Sequence, residues 1–434
     1  MEDLTARKLV TTSKITPTIH PMFPVSKSAM IDQSIENVEN CMILPEPSDL
    51  NSNMAVEFII HDSPGHYLNL SSLELEIEIA LVKPQGAYLA AERAYFIDNL
   101  LSTAFPIRKV SFAGTNVETQ YAGSYIGHMK HLLEANNESS IKVGKPRGLF
   151  KIEPSRYRSP INIDTCNANA DRMTWSKNRD HVIMRGYLDL DVCSLNKWIL
   201  DLVPVKITLE SAPNPFLINS DDNATAFKKQ IKSIKLYVDK ILPSPGGFLS
   251  VSKAVMRDPM EYILTRHLTY NEILAAGQSS ITLNRPWQSR IPQKIYLFMV
   301  KQNADVGMYN ETPLYFHHND LINYRVMIDG NPLLDVTCTS ADGYVGPYVI
   351  SQKSYDEGDS FLPFDMYARG GFILVIKTNH SQKHELSFES KGNLSIILKF
   401  RNNLVENYIV YLIGQQHSSL SITGDRSCIT NYTY

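Results

Sequence analysis

Val56-Glu57-Phe58-Ile59-Ile60 and Leu73-Glu74-Leu75-Glu76-Ile77-Glu78-Ile79 alternate apolar and polar residues, the period of a strand with one buried face. In the second half, Lys294–Val300 (KIYLFMV), Gly371–Lys377 (GFILVIK) and Asn393–Phe400 (NLSIILKF) are apolar runs of strand length. Each half also holds a strand that ends in a glycine turn. Lys109–Phe112 runs into Ala113-Gly114-Thr115-Asn116, and Tyr324–Ile328 runs into Asp329-Gly330-Asn331. The same layout written twice predicts two β-domains in tandem.

Bulk properties agree. A chain of 434 residues exceeds the size at which one core stops growing. Its 43% hydrophobic and 20% charged content is ordinary for a globular protein. A formal net charge of −3 argues against a general nucleic-acid surface. Cys41, Cys166, Cys193, Cys338 and Cys428 form no CxxC pair, so free thiols in a reducing compartment are expected. Met1-Glu2-Asp3-Leu4 opens no apolar signal region, and no apolar run approaches the roughly 20 residues that span a bilayer. The expectation is a soluble chain made in the cytosol.

Residues 1–50 are polar and proline-dotted (Pro17, Pro21, Pro24, Pro45, Pro47) and read as an N-terminal arm. The first domain is expected over 51–222. Ala94–Ala104 reads as a short helix or buried segment and Tyr121–Ala135 as a helix against the sheet, because Tyr121, Tyr125, Met129, Leu132 and Leu133 fall near helical spacing. A long loop over 138–180 and strands at Val182–Leu190 and Val205–Leu209 follow. The second domain, 223–434 with a C-terminal tail, is expected to open with the strand Ile231–Val238. Next come a turn at Pro243–Gly247, a helix at Val251–Tyr262, strands through Tyr408–Ile413 and a second long loop at 338–370. Many short antiparallel strands with long excursions read as jelly rolls.

The residues then resemble a known family. Tyr67-Leu68-Asn69-Leu70 before the strand Leu73–Leu81 and Phe96-Ile97-Asp98-Asn99-Leu100-Leu101 before Val110-Ser111-Phe112-Ala113-Gly114 resemble the first jelly roll of polinton (Maverick) and adintovirus major capsid proteins. Arg185–Leu190 with Leu202–Leu209 is similar to that family's late first-domain strands, and Ile234–Lys240 to the strand opening its second jelly roll. Ile322–Asn331, Phe361–Met366 and Gly392–Phe400 resemble its later elements. The match covers about residues 54–415, carried by order and spacing rather than by one motif.

The resemblance implies an all-β double jelly roll with short helices and long loops. It implies a structural, hexon-like subunit, three copies forming a pseudo-hexagonal capsomer of an icosahedral virion shell. Its partners would be itself, neighbouring capsomers, and penton and minor capsid or cement proteins, with no sequence-specific nucleic acid and no transmembrane segment. The arm 1–50 would lie on the inner face or under adjacent capsomers. A carbohydrate-binding β-sandwich, stacking loop tyrosines and tryptophans on sugars, is the alternative from another class. The single-jelly-roll vertex protein is a third reading, opposed by chain length.

Chemical motifs are weak. His317-His318 with Asp320 sit on an extended segment, where adjacent side chains oppose each other and chelate one ion poorly. His380 and His384 share a face only in a helix, and their segment reads as a loop. A cupin-type enzyme needs strand histidines inside its barrel, whereas His61 and His66 flank the turn Pro64-Gly65. Asp189 and Asp191 read as solvated strand-face carboxylates. Neither HExxH, Gly-x-Ser-x-Gly nor a Walker loop occurs. Trp175, Trp198 and Trp287 read as packing residues, while Tyr344, Tyr348, Tyr355, Phe361 and Phe364 are loop aromatics of the kind enriched at protein interfaces. No catalytic, cofactor-binding or metal residue is assigned, no cofactor is expected, and the chain is expected not to be an enzyme.

Overall fold

The computed structural model describes residues 34–46, 55–61, 63–87, 89, 93–134, 145–147, 173–176, 181–195, 197–220, 225–339, 343–355, 362–378 and 390–432. Its longer strands fall into two sets of eight. The first set is β1 (Ile35–Ile43), β2 (Ala55–Ile60), β3 (Tyr67–Val82), β4 (Ile107–Phe112), β5 (Thr115–Gln120), β6 (Val182–Tyr187), β7 (Val205–Glu210) and β8 (Lys228–Pro243). The second is β9 (Met260–Leu274), β10 (Ser280–Asn284), β11 (Lys294–Lys301), β12 (Leu321–Ile328), β13 (Asn331–Thr337), β14 (Leu374–Lys377), β15 (Leu394–Phe400) and β16 (Tyr408–Ile422).

The first set pairs in the orders β1-β8-β3-β6 and β2-β7-β4-β5, the second in the orders β9-β16-β11-β14 and β10-β15-β12-β13. Adding eight to each label of the first barrel reproduces the second. Every one of these ladders is antiparallel. Two four-stranded sheets wound this way make a jelly roll, so the chain is a double jelly roll. Among the described residues no strand pairs between the two sets.

The glycine turns noted in sequence join equivalent strands. Ala113 and Gly114 (φ 47° and 82°) link β4 to β5, and Asp329 and Gly330 (φ 51° and 81°) link β12 to β13. Positive φ at both central residues is the two-residue hairpin geometry that matches strand twist.

The strand pairing departs from the expected boundaries at three places. Ile35–Ile43, read as part of the arm, is the edge strand β1, with Asn40 opposite Asp239 and Cys41 opposite Val238. Residues 1–33 of the arm lie outside the described residues. Ile231–Val238, expected to open the second domain, lies in β8 and joins β1 to β3 in the first barrel. The helix between the barrels, α2 (Pro245–Arg257), starts earlier than expected and ends before Tyr262, which is in β9. Ser244 caps α2 by accepting the Gly247 N–H (3.3 Å), with Pro245 in its first turn, the favoured start of a helix. The break in pairing therefore falls between Pro243 and Met260.

The helix predicted at Tyr121–Ala135 is α1 (Gly123–Glu134), between β5 and β6. Its counterpart α3 (Val345–Tyr355) lies between β13 and β14. The two long loops of the sequence thus belong to the same connection in each barrel, although most of 138–180 lies outside the described residues. Gly127 of α1 is needed for close approach. A Cβ there would come within 2.8 Å of Ser102 Cβ and 3.0 Å of Asp189 Oδ2.

Candidate functional site at the seam between the barrels

β11 is buried on both faces. Ile295, Leu297 and Met299 join the interior of the second barrel, while Tyr296, Phe298 and Val300 join an apolar cluster continuous with the first. β16 divides likewise, Val410 and Leu412 against Ile409, Tyr411 and Ile413. A sheet covered on both sides needs apolar residues at every position, which is why the second-half runs are continuous where LELEIEI alternates.

The cover comes from the first barrel. The Tyr125 ring of α1 lies 4.7 Å from Tyr411, 5.6 Å from Phe298 and 6.3 Å from Phe316, centroid to centroid, and Phe298 lies 4.4 Å from Phe316. Each such aromatic pair adds about 0.5–1.5 kcal/mol beyond its buried area.

Polar groups cross the seam at three points. Tyr125 and Tyr411 both donate their hydroxyls to Asp305 Oδ1, at 2.6 and 2.8 Å. Burial and the Asp305 charge raise both phenol pKa values, so the protons stay in place to be donated. At the second point Asp191 Oδ1 meets His267 Nδ1 at 2.6 Å while Asp191 Oδ2 accepts the His267 backbone N–H at 2.9 Å. Glu118 beneath accepts the N–H groups of Asp191 and Val192 at 2.8 and 2.9 Å. Burial, followed by the Asp191 charge, raises the Glu118 pKa. Burial also acts to raise Asp191, but the facing His267 and Lys130 outweigh it and hold the carboxyl below its ordinary range. At the third point Arg426 pairs with Asp201, Tyr432 donates to Val117 O at 2.7 Å, and the Arg266 guanidinium lies 3.6 Å over the Tyr432 ring.

The equivalent face of the first barrel is built differently. Outward positions of β3 carry Glu74 and Glu76, paired with Arg185 of β6 (2.7 Å) and Lys235 of β8 (2.9 Å). Arg185 also lies 3.8 Å over the Tyr237 ring. Around these charges Met42, Ile183 and Tyr187 are 52, 56 and 51% exposed.

The structure scatters the residues weighed from sequence. His317 packs on Tyr315 and Tyr408, and burial pushes its pKa down to about 3. His318 turns to the Tyr344 hydroxyl (3.0 Å), with Asp320 at 3.7 Å. His66 contacts Pro64 O beside the Gly65 turn, and His61 is exposed. His380, His384, Phe361 and Cys166 lie outside the described residues. Among the described residues no three His, Cys, Asp or Glu side chains converge as a metal site, and no helix is long and apolar enough to cross a membrane. Cys41, Cys193, Cys338 and Cys428 are free thiols.

Asp189 and Asp191 correct the solvated-strand reading. β6 ends at Tyr187 and the chain turns under the seam, so Asp189 is enclosed with Arg147 (3.0 Å) and Ser102 and Asp191 with His267. Of the aromatics, Trp287, Tyr344 and Tyr355 are buried and Trp198 is exposed. The seam roles of Tyr125, His267, Asp305 and Tyr411 left no local signal, because each depends on a contact with the other barrel. The continuous apolar runs were the legible trace of the seam.

No protein-family model matches the chain, and no curated protein does. Solved structures do match. A chain of the Sputnik virophage cryo-EM structure superposes with a TM-score of 0.62 at 13% identity, covering 96% of this chain and 93% of that one. The Faustovirus major capsid protein gives 0.56 at 8% identity, covering 96% and 97%. The mavirus major capsid protein gives 0.54 at 10% identity, covering 96% and 93%. The likeness is one of fold, and it runs through both barrels.

Proposed function

We propose that this chain is a structural major capsid protein whose activity is self-assembly. The observation that carries the reading is the pair of jelly rolls with identical strand order, fixed side by side by a buried seam, in a fold that matches viral major capsid proteins over nearly the whole chain. Two like barrels per chain and three chains per ring make six similar barrels, a tile with hexagonal outline and closed threefold symmetry. The subunit belongs in the virion shell, with neighbouring capsomers and penton and minor capsid or cement proteins as its partners. The order of motifs shared with polinton and adintovirus capsid proteins supports placing it in that group. No reaction chemistry is part of the function: the seam carboxylates and phenols are consumed in contacts between the barrels.

Electron microscopy of the expressed chain tests this. Hexagonal tiles or closed shells are the expected outcome. A homogeneous monomer at high concentration, with no particles in expressing cells, contradicts the reading.

A further inference from the structure

The long connection between α1 and β6 is tied to the first barrel at Arg147. This residue ends a short helical turn (Lys145–Arg147), and its side chain finishes in a site built by other segments. Arg147 Nη2 lies 2.9 Å from Tyr187 O, 3.0 Å from Asp189 Oδ2 and 3.2 Å from Ser102 Oγ. Ser102 donates its hydroxyl to the same carboxylate oxygen. The stem of the side chain passes over Gly186, where a Cβ would meet Arg147 Cγ at 2.7 Å and Cδ at 3.0 Å, so only glycine leaves room for it. Burial acts to raise the Asp189 pKa, but Arg147 and then Arg108 outweigh it and hold the carboxyl below its ordinary range. The site therefore offers a negative charge, a hydroxyl and a carbonyl to whatever cation fills it.

The same stretch of chain carries a seam contact. Asp189 O accepts from Arg108 Nη1 at 3.1 Å and from Gln120 Nε2 at 3.3 Å, and Gln120 Nε2 also reaches Asp191 Oδ1 at 3.1 Å. Two residues beyond Asp189, Asp191 holds both the ring and the backbone N–H of His267 in the other barrel. β9 is an edge strand, and its His267 N–H donates out of the sheet to Asp191 Oδ2. We infer that Ser102, Tyr187 and Asp189 form a socket for an organic cation, filled by Arg147, and that filling it sets the turn that presents Asp191 to the second barrel. With the socket empty, Asp189 keeps the Ser102 hydroxyl but loses its largest compensating charge. An enclosed carboxylate in that state draws in water or turns outward, because leaving it unpaired is costly. Either response displaces Leu188–Asp191. One side chain thus links the α1–β6 connection to the contact between the barrels.

The test uses the full chain and Arg147→Ala, whose missing atoms are those of ethylguanidinium. Two quantities are read, the melting temperature and the hydrogen-exchange rate of the His267 amide. The alanine variant is expected to melt several degrees lower and to exchange the His267 amide faster. Millimolar ethylguanidinium should restore both, while ethylurea, its neutral isostere, restores neither, and the native chain responds to neither solute. An alanine variant that behaves as the native chain, or one that ethylurea restores equally, ends the socket. A lowered melting temperature with His267 exchange unchanged ends its link to the seam. Should the alanine variant fail to fold, Arg147→Lys is compared with Arg147→Gln. The lysine is then expected to keep more of the native melting temperature and His267 protection, and an equal or reversed order overturns the inference.

Discussion

Two sheets that occupy the same place in their barrels have opposite chemistry. A row across β9-β16-β11-β14 reads Thr269, Ile413, Tyr296, Val375, with the last three at most 4% exposed. A row across β1-β8-β3-β6 reads Met42, Tyr237, Glu74, Tyr187, with its two ends half exposed. Strand order is therefore indifferent to what lies outside the barrel. What a sheet faces sets its composition: a partner tethered in the same chain permits an unbroken apolar surface, whereas a face left uncovered by the described residues keeps its charges.

The largest effect that separates the two should come from Phe298→Ala. Removing a ring packed from both sides of the seam is expected to cost about 3–5 kcal/mol, read as a lower denaturant midpoint. Titration gives the next. Asp191 has its pKa lowered in the folded protein, so its stabilising contribution is present above the unfolded value near 3.8 and is lost as pH falls below it. The native chain should lose stability more steeply between about pH 4 and 2 than Asp191→Asn, which starts lower because His267 has lost its partner. A flat difference between the two profiles would show that this pair does not titrate with unfolding. Third, Tyr411→Phe removes one of two donors to Asp305 and should cost about 1–2 kcal/mol, with the aromatic packing retained. Smallest is Glu74→Gln on the charged face of the first barrel, expected to change stability by about 0.2–1 kcal/mol, an effect that added salt erases. A larger and salt-independent loss there would mean that this face is covered.

These contrasts also explain what could be read in advance. The hairpins at Ala113-Gly114 and Asp329-Gly330 were legible because two adjacent residues encode them. So was LELEIEI, whose alternation reports one wet face. KIYLFMV announced a strand but not its surroundings, since a run buried on both faces looks alike whatever covers it. β1 and β8 were misplaced because Asn40 pairs with Asp239, and nothing local to either residue names so distant a partner. The start of α2 was present in Ser244-Pro245 as a capping signal, hidden by a proline that reads equally well as a turn. Asp189 and Asp191 were misjudged for a different reason: alternation was extended past Tyr187, where the strand had already ended.

The helix α2 finally bears on how the protein is made. All strand partners of the first barrel lie before Pro243, so that barrel can close on a ribosome before β9 emerges. Its α1 flank, with Tyr125 and Met129, would then wait in water for the remaining chain, up to Ile422 of β16, to be translated. A newly made chain thus passes through an interval with a finished half and a bare greasy flank.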